Sequence, residues 1–342
     1  MDPLTQGVVA AVAAQQPAKR QHLFVATCLG FLTGMVPDLD VLIRSDVDPL
    51  FALEYHRHFT HSLLFIPIGS LLCATLFYWL FAKRKGLSFK QTYIYCILGY
   101  ATHGLLDACT TYGTQLLWPF SDMRVAWNTV SIIDPVFTLP LLVLIIAAAV
   151  KKSRLIAHSA LAWLCLYCLF GVIQRERAEA VGLHLAESRG HIPTKLEAKP
   201  SFANLIVWKV VYSTENHYYV DAVRVGVGAT IIEGEKIDKL DVKKTFPWLD
   251  PDSQQAKDIE RFRWFSNGYL ALSPYHPNRV IDIRYSLLPD EIRGLWGIEL
   301  DPSAGSDKHV SYEVNRQRDS STFKRLWAMI TGQVGSSLMI RN

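Results

Sequence analysis

The sequence predicts an α-helical transmembrane bundle of five or six segments, followed by a soluble β-rich domain of the α+β type. Charge is spread unevenly over the 342 residues: residues 1–174 hold 21 charged side chains and residues 175–342 hold 45. Residues 62–82 contain no charged side chain, and a helix of that length crosses a hydrocarbon core of about 30 Å. The first half is therefore predicted to lie in a membrane.

Apolar runs of helical length follow one another through the first half, bounded by charged or turn-forming residues. They cover residues 4–14, 22–36, 62–82, 92–106, 136–150 and 155–173. The first two are short, so they are expected to span weakly, to re-enter or to pack inside the bundle. No cleavable signal peptide is expected, because the first residues lack a basic region.

Three loops contain cationic residues and no acid, and they set the predicted orientation. Their residues are Lys19, Arg20, Lys83, Arg84, Lys85, Lys90, Lys151, Lys152 and Arg154. Since Lys and Arg are enriched in cytoplasmic loops, these loops are predicted inside and the intervening turns outside. We therefore expect a membrane domain at residues 1–174, a linker or helix at 175–200 and an extracytoplasmic β-rich domain at 201–342.

The second half has the alternating pattern of short strands. Runs with β-branched and aromatic residues are separated by Gly, Pro and Asn turns, at residues 205–213, 218–227, 269–273, 280–286 and 310–314. They predict a small antiparallel sheet or open barrel, with a helix near residues 252–261. No nucleophile elbow, phosphate loop or zinc ribbon occurs here, so we expect this domain to cover the site or select substrate.

Polar residues at the ends of the apolar segments indicate a metal site on the predicted outer face. They are Asp38, Asp40, His61, His103 and Asp107. His103 and Asp107 are four residues apart, so both project from one helix face, and imidazole with carboxylate suits zinc, manganese or iron. The alternatives are buried structural polar pairs for these two and ordinary turn chemistry for the two aspartates after Pro37. Convergence of three clusters at one membrane face favours the metal site.

Four further residues are candidates for catalysis or substrate binding. His56 is a candidate orienting residue, ligand or general acid. Arg57 suits bidentate binding of a phosphate, or else snorkels at the interface. Asp134 either holds a ligand histidine or caps the helix that begins at Pro135. Trp118, in an aromatic loop, either contacts a lipid head group or anchors the chain at the interface.

Several motifs in this order resemble the YdjM-like family of membrane-bound metal-dependent hydrolases. They are MDPLTQ at residues 1–6, GxxPDxD at 34–40, HRxxTHS at 56–62, HxxxD at 103–107 with CTTYGT at 109–114, and IDP at 133–135. The resemblance covers about residues 1–175, and residues 261–269 resemble the soluble domain of one branch. The family is distantly similar to zinc-dependent phospholipase C and to P1-type nucleases.

The resemblance implies a protein of the bacterial inner membrane that hydrolyses a phosphoester of a lipid or membrane-associated substrate. It implies one to three divalent ions, with zinc preferred and manganese or another ion as the alternative. The small net charge of +4, without a basic stripe, argues against nucleic acid as a partner. The oligomeric state is not determined by the sequence.

Three other functions remain open: a transporter or ion-binding protein with an outward-facing His and Asp site, a membrane-embedded metallopeptidase, and a metal site that serves structure alone. A permeation path needs polar residues across the whole membrane. The predicted cytoplasmic halves of the long segments are nearly free of them, with His158 as the main exception. This distribution favours the hydrolase.

Overall fold

The chain divides into two compact units. A computed structural model describes residues 1–315, 320–334 and 338–340. The first unit comprises Met1–Ile43 and Tyr55–Val172, and the second comprises Arg44–Glu54 and Ile173–Asn342. The segment Arg44–Glu54 thus belongs to the second unit although the first unit precedes and follows it in the sequence.

The N-terminal half is helical, as predicted. Its helices are α1 (Pro3–Gln15), α2 (Leu23–Met35), α3 (Phe51–Tyr55), α4 (Ile66–Phe77), α5 (Phe89–Ala108), α6 (Pro135–Lys151) and α7 (Arg154–Ser188). Three helical stretches of the described chain are long and apolar enough to cross a membrane: Arg20–Leu42, Leu63–Lys85 and Arg154–Ser188. The helix α6 is apolar but shorter, and the count of five or six segments stays a prediction.

The helix α1 packs inside the bundle, which was one of the three expected possibilities. Ten of its 13 residues are buried, and it packs against α2 and α5. Small residues permit this approach: a Cβ atom at Gly30 of α2 would lie 2.6 Å from the Ala10 carbonyl oxygen, and one at Gly34 would lie 2.2 Å from Ala10 Cβ. The small side chains let the helix backbones come close without clashes.

The outer helices expose apolar side chains, as lipid contact requires. Leu72 on α4 is 64% exposed, Val143 on α6 65% and Leu166 on α7 64%.

Inside the bundle, α5 begins with a capping box between Ser88 and Gln91, which satisfies two backbone donors at the helix start. The far end of α5 carries the predicted ligands.

The second unit contains two antiparallel sheets. The strands are β1 (Lys195–Pro200), β2 (Val207–Ser213), β3 (His217–Val225), β4 (Ala229–Asp238), β5 (Leu270–Leu272), β6 (Arg279–Asp282), β7 (Trp296–Glu299), β8 (Ser311–Val314) and β9 (Leu338–Ile340). The strand order is β1-β2-β3-β4-β9 in one sheet and β5-β6-β7-β8 in the other. All residues of β2 are buried, because its two faces line separate cores. On one face, Val211 packs toward Ile281 and Val207 packs toward α10 (Ser320–Thr331). On the other face, the side chain of Val210 lies against Gly182 of α7.

The predicted β-rich character of the second half is confirmed, with differences in detail. The five predicted strands correspond to β2, β3, β5, β6 and β8, and α9 (Gln254–Phe265) corresponds to the predicted helix. β1, β4, β7 and β9 were not predicted. Charged and glycine residues interrupt the alternation of the first three, and β9 has only three residues. The stretch predicted as a linker or helix contains the end of α7 and all of β1.

Arg261 connects the segment Arg44–Glu54 to α9 within the second unit. Its guanidinium lies 2.6 Å from Glu54 Oε1, 2.7 Å from Asp48 Oδ2 and 2.9 Å from Asp258 Oδ1. The guanidinium of Arg261 donates charge-assisted hydrogen bonds to these three carboxylates. They attach a short, weakly structured segment to a helix far away in the sequence.

Candidate metal centre

Four of the five predicted ligands meet at one point in the first unit. Asp38 lies in the 3-10 turn that follows α2, His61 ends the 3-10 turn before the span Leu63–Lys85, and His103 and Asp107 lie on α5. One ligand atom from each lies within 4.8 Å of all the others. His61, His103 and Asp107 are buried, whereas the side chain of Asp38 is 21% exposed. Water therefore reaches the cluster at Asp38.

The distances within the cluster match the edges of a small coordination shell. His61 Nε2 lies 2.9 Å from His103 Nε2, 3.3 Å from Asp107 Oδ2 and 3.5 Å from Asp38 Oδ1. His103 Nε2 lies 3.3 Å from Asp38 Oδ1 and 3.5 Å from Asp107 Oδ2. Ligand atoms bound tetrahedrally at 2.0–2.1 Å from zinc are separated by about 3.3–3.4 Å. The four ligand atoms are therefore close enough together to share a metal ion.

The hydrogen bonds at the other ring nitrogens determine which atoms face the cluster. His103 Nδ1 lies 2.5 Å from the Gly34 carbonyl oxygen, which only accepts, so Nδ1 carries the proton. Thr60 Oγ1 donates to Asp40 and therefore accepts from His61 Nδ1, 2.9 Å away. In the neutral rings both Nε2 atoms then present lone pairs to each other.

This arrangement requires a positive charge at its centre. Asp107 Oδ2 is buried and accepts no hydrogen bond from the described part of the chain. Together with the two Nε2 lone pairs and Asp38 Oδ1, it faces the same small volume. Such a set of acceptors is unfavourable in an apolar bundle unless a proton or a metal ion lies between them.

Asp40 lies beside the cluster, and its two oxygens accept hydrogen bonds from neighbouring groups. Oδ2 accepts from the Arg57 backbone N–H at 2.9 Å and from Thr60 Oγ1 at 3.0 Å, and lies 3.2 Å from His61 Nδ1. Oδ1 lies 2.8 Å from His56 Nδ1. A carboxylate in this place orients the His61 ring. Asp40 also forms a second possible ligand group with Asp38 and His56, so its predicted role as a ligand stays a prediction.

His56 borders the cluster through Asp40. Its side chain is 24% exposed, and its ring packs edge-on against Tyr112 at 5.5 Å between centroids. Burial lowers the pKa of His56 below its ordinary value, against the hydrogen bond to Asp40, which raises it. The predicted choice between orienting residue, ligand and general acid stays open.

Arg57 holds Asp107 and is almost completely buried. It is 3% exposed and has a left-handed backbone conformation with φ 63°. Its guanidinium lies 3.2 Å from Asp107 Oδ1, donates to Thr110 Oγ1 at 3.0 Å, and stacks over the Tyr112 ring at 4.7 Å. These contacts bury the guanidinium against protein groups, and its predicted phosphate-binding role stays a prediction.

Further contacts show what keeps Asp107 Oδ2 directed at the cluster. Asp107 Oδ1 accepts from Gln6 Nε2 at 2.9 Å and also contacts the backbone nitrogen of Met1. With these donors and Arg57 on one oxygen, the other oxygen is left facing the histidines. The motifs contain Gln6, Thr60 and Tyr112, but these contacts were not predicted from the sequence.

A close backbone approach positions His61 against α5. A Cβ atom at Gly104 would lie 2.2 Å from the His61 carbonyl oxygen, so only glycine fits there without displacement. Because Gly104 follows His103 directly, this contact sets the separation of the two histidines. The role of Gly104 was missed, since a lone glycine within a helix gives no local signal of its partner.

The two remaining candidates, Asp134 and Trp118, do not belong to the four-residue cluster. Asp134 caps α6 by accepting from the Val136 and Phe137 N–H groups, and its other oxygen accepts from the Tyr167 hydroxyl at 2.5 Å. This confirms the capping alternative. Among the described contacts Asp134 makes no hydrogen bond to His61 or His103, and its catalytic role stays a prediction. Trp118 packs against the rings of His58 and Phe59, and its contact with lipid is likewise untested.

A sequence model of the YdjM inner membrane protein family matches residues 1–178, about half of the chain and all of the metal centre. The chain belongs to this family. The protein YfhP of Bacillus subtilis (strain 168), described as uncharacterized, is 26% identical over 124 residues, which cover 36% of this chain and 36% of YfhP. The inner membrane protein YbcI of Escherichia coli (strain K12) is 34% identical over 112 residues, covering 30% of this chain and 60% of YbcI.

The matched parts thus span between about a third and three fifths of these curated relatives. No solved structure significantly matches this member of the YdjM family. Family membership and the apolar helices support a location in the inner membrane. The distant similarity to phospholipase C stays a prediction.

Proposed function

We propose that this YdjM-family protein is a metal-dependent hydrolase of the inner membrane that cleaves a phosphoester of a lipid or membrane-associated substrate. One observation carries the proposal: one ring nitrogen each of His61 and His103 and one carboxylate oxygen each of Asp38 and Asp107 converge in an apolar bundle, close enough to share a metal ion. Ionisable residues at such a place are a functional site by default.

The residues fit a divalent cation in charge and in ligand type. Asp38, His61, His103 and Asp107 would hold the ion, and two carboxylates would balance its charge. Nitrogen and oxygen ligands in this combination suit zinc first, and also manganese. A bound divalent ion would bring the pKa of a coordinated water to near neutrality and polarise a phosphoryl oxygen.

The proposed site is open to water and substrate on one side. His61, His103 and Asp107 are fully buried and exclude water from the bundle side, whereas Asp38 is partly exposed. Substrate and water are therefore proposed to approach past Asp38. His56 is partly exposed and hydrogen-bonded to Asp40, and we assign it to proton transfer at that entrance.

We assign the site and the C-terminal domain to the extracytoplasmic side of the membrane. The nine cations of the three acid-free loops support this orientation, since such loops remain in the cytoplasm. Reporter fusions after Lys85 and after Gln174 should lie on opposite sides. Two fusions on the same side would remove the argument for an outward-facing site.

The test of the function combines metal content with hydrolysis by the purified protein in detergent. The parent should contain near-stoichiometric zinc or manganese and cleave a lipid phosphoester, and His61→Ala and His103→Ala should lose both properties. His158→Ala is the matched control, because His158 lies on α7, outside the cluster, and its side chain is hydrogen-bonded to that of Gln16. Absence of any divalent ion from the folded parent, even after metal is supplied, would refute the proposal.

The second candidate is an ion-binding or transport protein, and one observation favours it. Four protein ligands complete a tetrahedral shell, whereas catalytic zinc sites keep a position open for water. This alternative predicts that the parent binds and exchanges the ion but hydrolyses neither phosphoester nor peptide substrates. Asp38→Ala distinguishes the two candidates further. It removes one of the four ligands and leaves a coordination position for water, and a pure ion-binding protein should still hydrolyse no substrate.

A further inference from the structure

Some of the exposed large apolar side chains of the second unit belong to elements held close to where α7 leaves its apolar stretch. Residues 155–173 of α7 contain no Asp, Glu, Lys or Arg. At 1.5 Å per residue these 19 residues extend about 28 Å, which matches a hydrocarbon core of about 30 Å. The edge of the hydrocarbon therefore lies at Ile173, the first α7 residue of the second unit.

The hairpin between β3 and β4 is attached to α7 immediately beyond that edge. Gln174 is buried and donates to the carbonyl oxygens of Leu205 at 3.1 Å and Val225 at 2.9 Å. Arg177 donates to the Gly226 carbonyl oxygen at 2.7 Å. Since Arg177 lies only about 6 Å along the helix from Ile173, the hairpin lies at head-group depth, in a layer about 5–7 Å thick on each side of the core.

The amphipathic helix α10 lies beside the same hairpin. Arg224 Nε donates to the Ile330 carbonyl oxygen at 3.0 Å, and Leu326 and Met329 pack into the core with Val207 and Ala222. On the flank of α10 beside this buried face, Phe323 is 42% exposed and Trp327 64%. These two residues are four positions apart, so they share one face.

Four exposed residues form what we call the apolar rim: Phe202, Val227, Phe323 and Trp327. Phe202 is 37% exposed with its ring 6.2 Å from that of Phe323, and Val227 at the hairpin tip is fully exposed. Lys324 is exposed next to Phe323. Tryptophan and phenylalanine beside a lysine are the composition of helices that bind at a membrane interface.

We infer that the apolar rim inserts into the interface of the bilayer that α7 crosses, with Lys324 among the lipid phosphates. The occupant is lipid because the α7 hydrogen bonds place the hairpin at head-group depth, and the hydrogen bond from Arg224 holds α10 beside the same hairpin. From there the exposed Val227 and Trp327 reach the first segments of the acyl chains. This inference does not depend on the metal or on hydrolysis. It concerns how the β-rich unit is held at the membrane surface.

Trp327 itself reports its surroundings, so the test uses the full chain in liposomes of phosphatidylethanolamine and phosphatidylglycerol. The emission contributed by Trp327 is the difference between the parent and Trp327→Phe, measured with and without brominated acyl chains. We expect this emission to be blue-shifted and quenched by about half or more. The control is Trp248→Phe, because Trp248 is 40% exposed in the same unit and outside the rim, and its emission should not be quenched.

Two results would overturn the inference. A Trp327 contribution that is red-shifted and insensitive to bromine places the rim in water. A blue-shifted contribution without quenching, which returns to red when protein is diluted in excess lipid, means that a second copy of the chain covers the rim. Both variants are conservative, and thermal unfolding of each beside the parent shows that the chain has folded.

Discussion

Replacing Gly104 by alanine tests whether a single backbone contact sets the geometry of the metal centre. The new Cβ atom would lie 2.2 Å from the His61 carbonyl oxygen and 3.2 Å from its carbonyl carbon. Ordinary contact requires about 1 Å more, and backbone atoms cannot rotate away as the end of a side chain can. We therefore expect His61 to move by about 1 Å relative to His103.

The size of the effect follows from the cluster distances. A movement of about 1 Å is several times the 0.2 Å tolerance of metal–ligand bonds, so His61 would bind poorly or not at all. Distorting the support of one ligand costs about 10-fold to 100-fold in metal affinity, equivalent to about 1.4–2.7 kcal/mol. Overpacking should also lower the free energy of unfolding by about 1–3 kcal/mol.

The assay is competition for zinc or manganese between the detergent-solubilised protein and a chromophoric chelator, with thermal unfolding measured in parallel. Gly182→Ala is the matched control, because its Cβ atom would lie 2.5 Å from the Val210 side chain in the other unit. That variant should lose some stability and no metal affinity. A folded Gly104→Ala protein with the affinity of the parent would refute the reasoning that this contact positions His61.

Three further predictions follow from single residues. Asp40→Asn should weaken metal binding by about 10-fold to 100-fold in the same competition assay, because Asp40 orients a ligand, and Asp38→Asn should weaken it more. Burial lowers the pKa of Lys209 to about 7 from 10.5. Between these two pH values the unfolded chain binds more protons than the folded protein. The free energy of unfolding should therefore rise with pH, by at most about 1.4 kcal/mol per pH unit. Thermal unfolding of the parent at several pH values should show this slope, and Lys209→Met should lack it. Arg261→Ala should raise hydrogen exchange in residues 44–54 about ten-fold, because three ion pairs with Asp48, Glu54 and Asp258 are lost.

Each of these predictions has an outcome that contradicts it. An effect of Asp40→Asn as large as that of Asp38→Asn would mean that Asp40 is itself a ligand, as the sequence predicted. Equal pH slopes for the parent and Lys209→Met would mean that Lys209 does not titrate in this range. For the segment 44–54 the control is Arg263→Ala, since Arg263 pairs only with the exposed Glu260 among its described ion pairs; an equal effect of both variants would exclude a specific role for Arg261.

The sequence alone determined features that depend on neighbouring residues. The apolar runs predicted the helices, because a stretch without charge is stable as a helix in lipid. The spacing of His103 and Asp107 predicted a shared face, because the helix period is fixed. Asp134 before Pro135 indicated a cap as one of two alternatives, and the alternating runs predicted β2 and β3. Each of these conclusions needs only a few consecutive residues.

Other features of the site arose from contacts between distant parts of the chain. His61 opposes His103 across 42 positions, and Gly34 holds His103 across 69. Arg57 was interpreted as a phosphate ligand or a snorkelling residue, yet its guanidinium is buried against Asp107 and Tyr112. No spacing rule links such pairs, because their distance is set by how closely the helices pack.

The sequence by itself thus determined which residues are able to bind a metal and on which elements they lie. Only the tertiary structure decided that four of them face one point, that Asp40 accepts hydrogen bonds beside them, and that the segment Arg44–Glu54 belongs with the β-rich unit. The physical reason is that helix and strand periodicity act over a few residues. The approach of Gly104 to His61 and of Gly34 to Ala10 depends instead on side-chain volume at contacts between separate helices and turns.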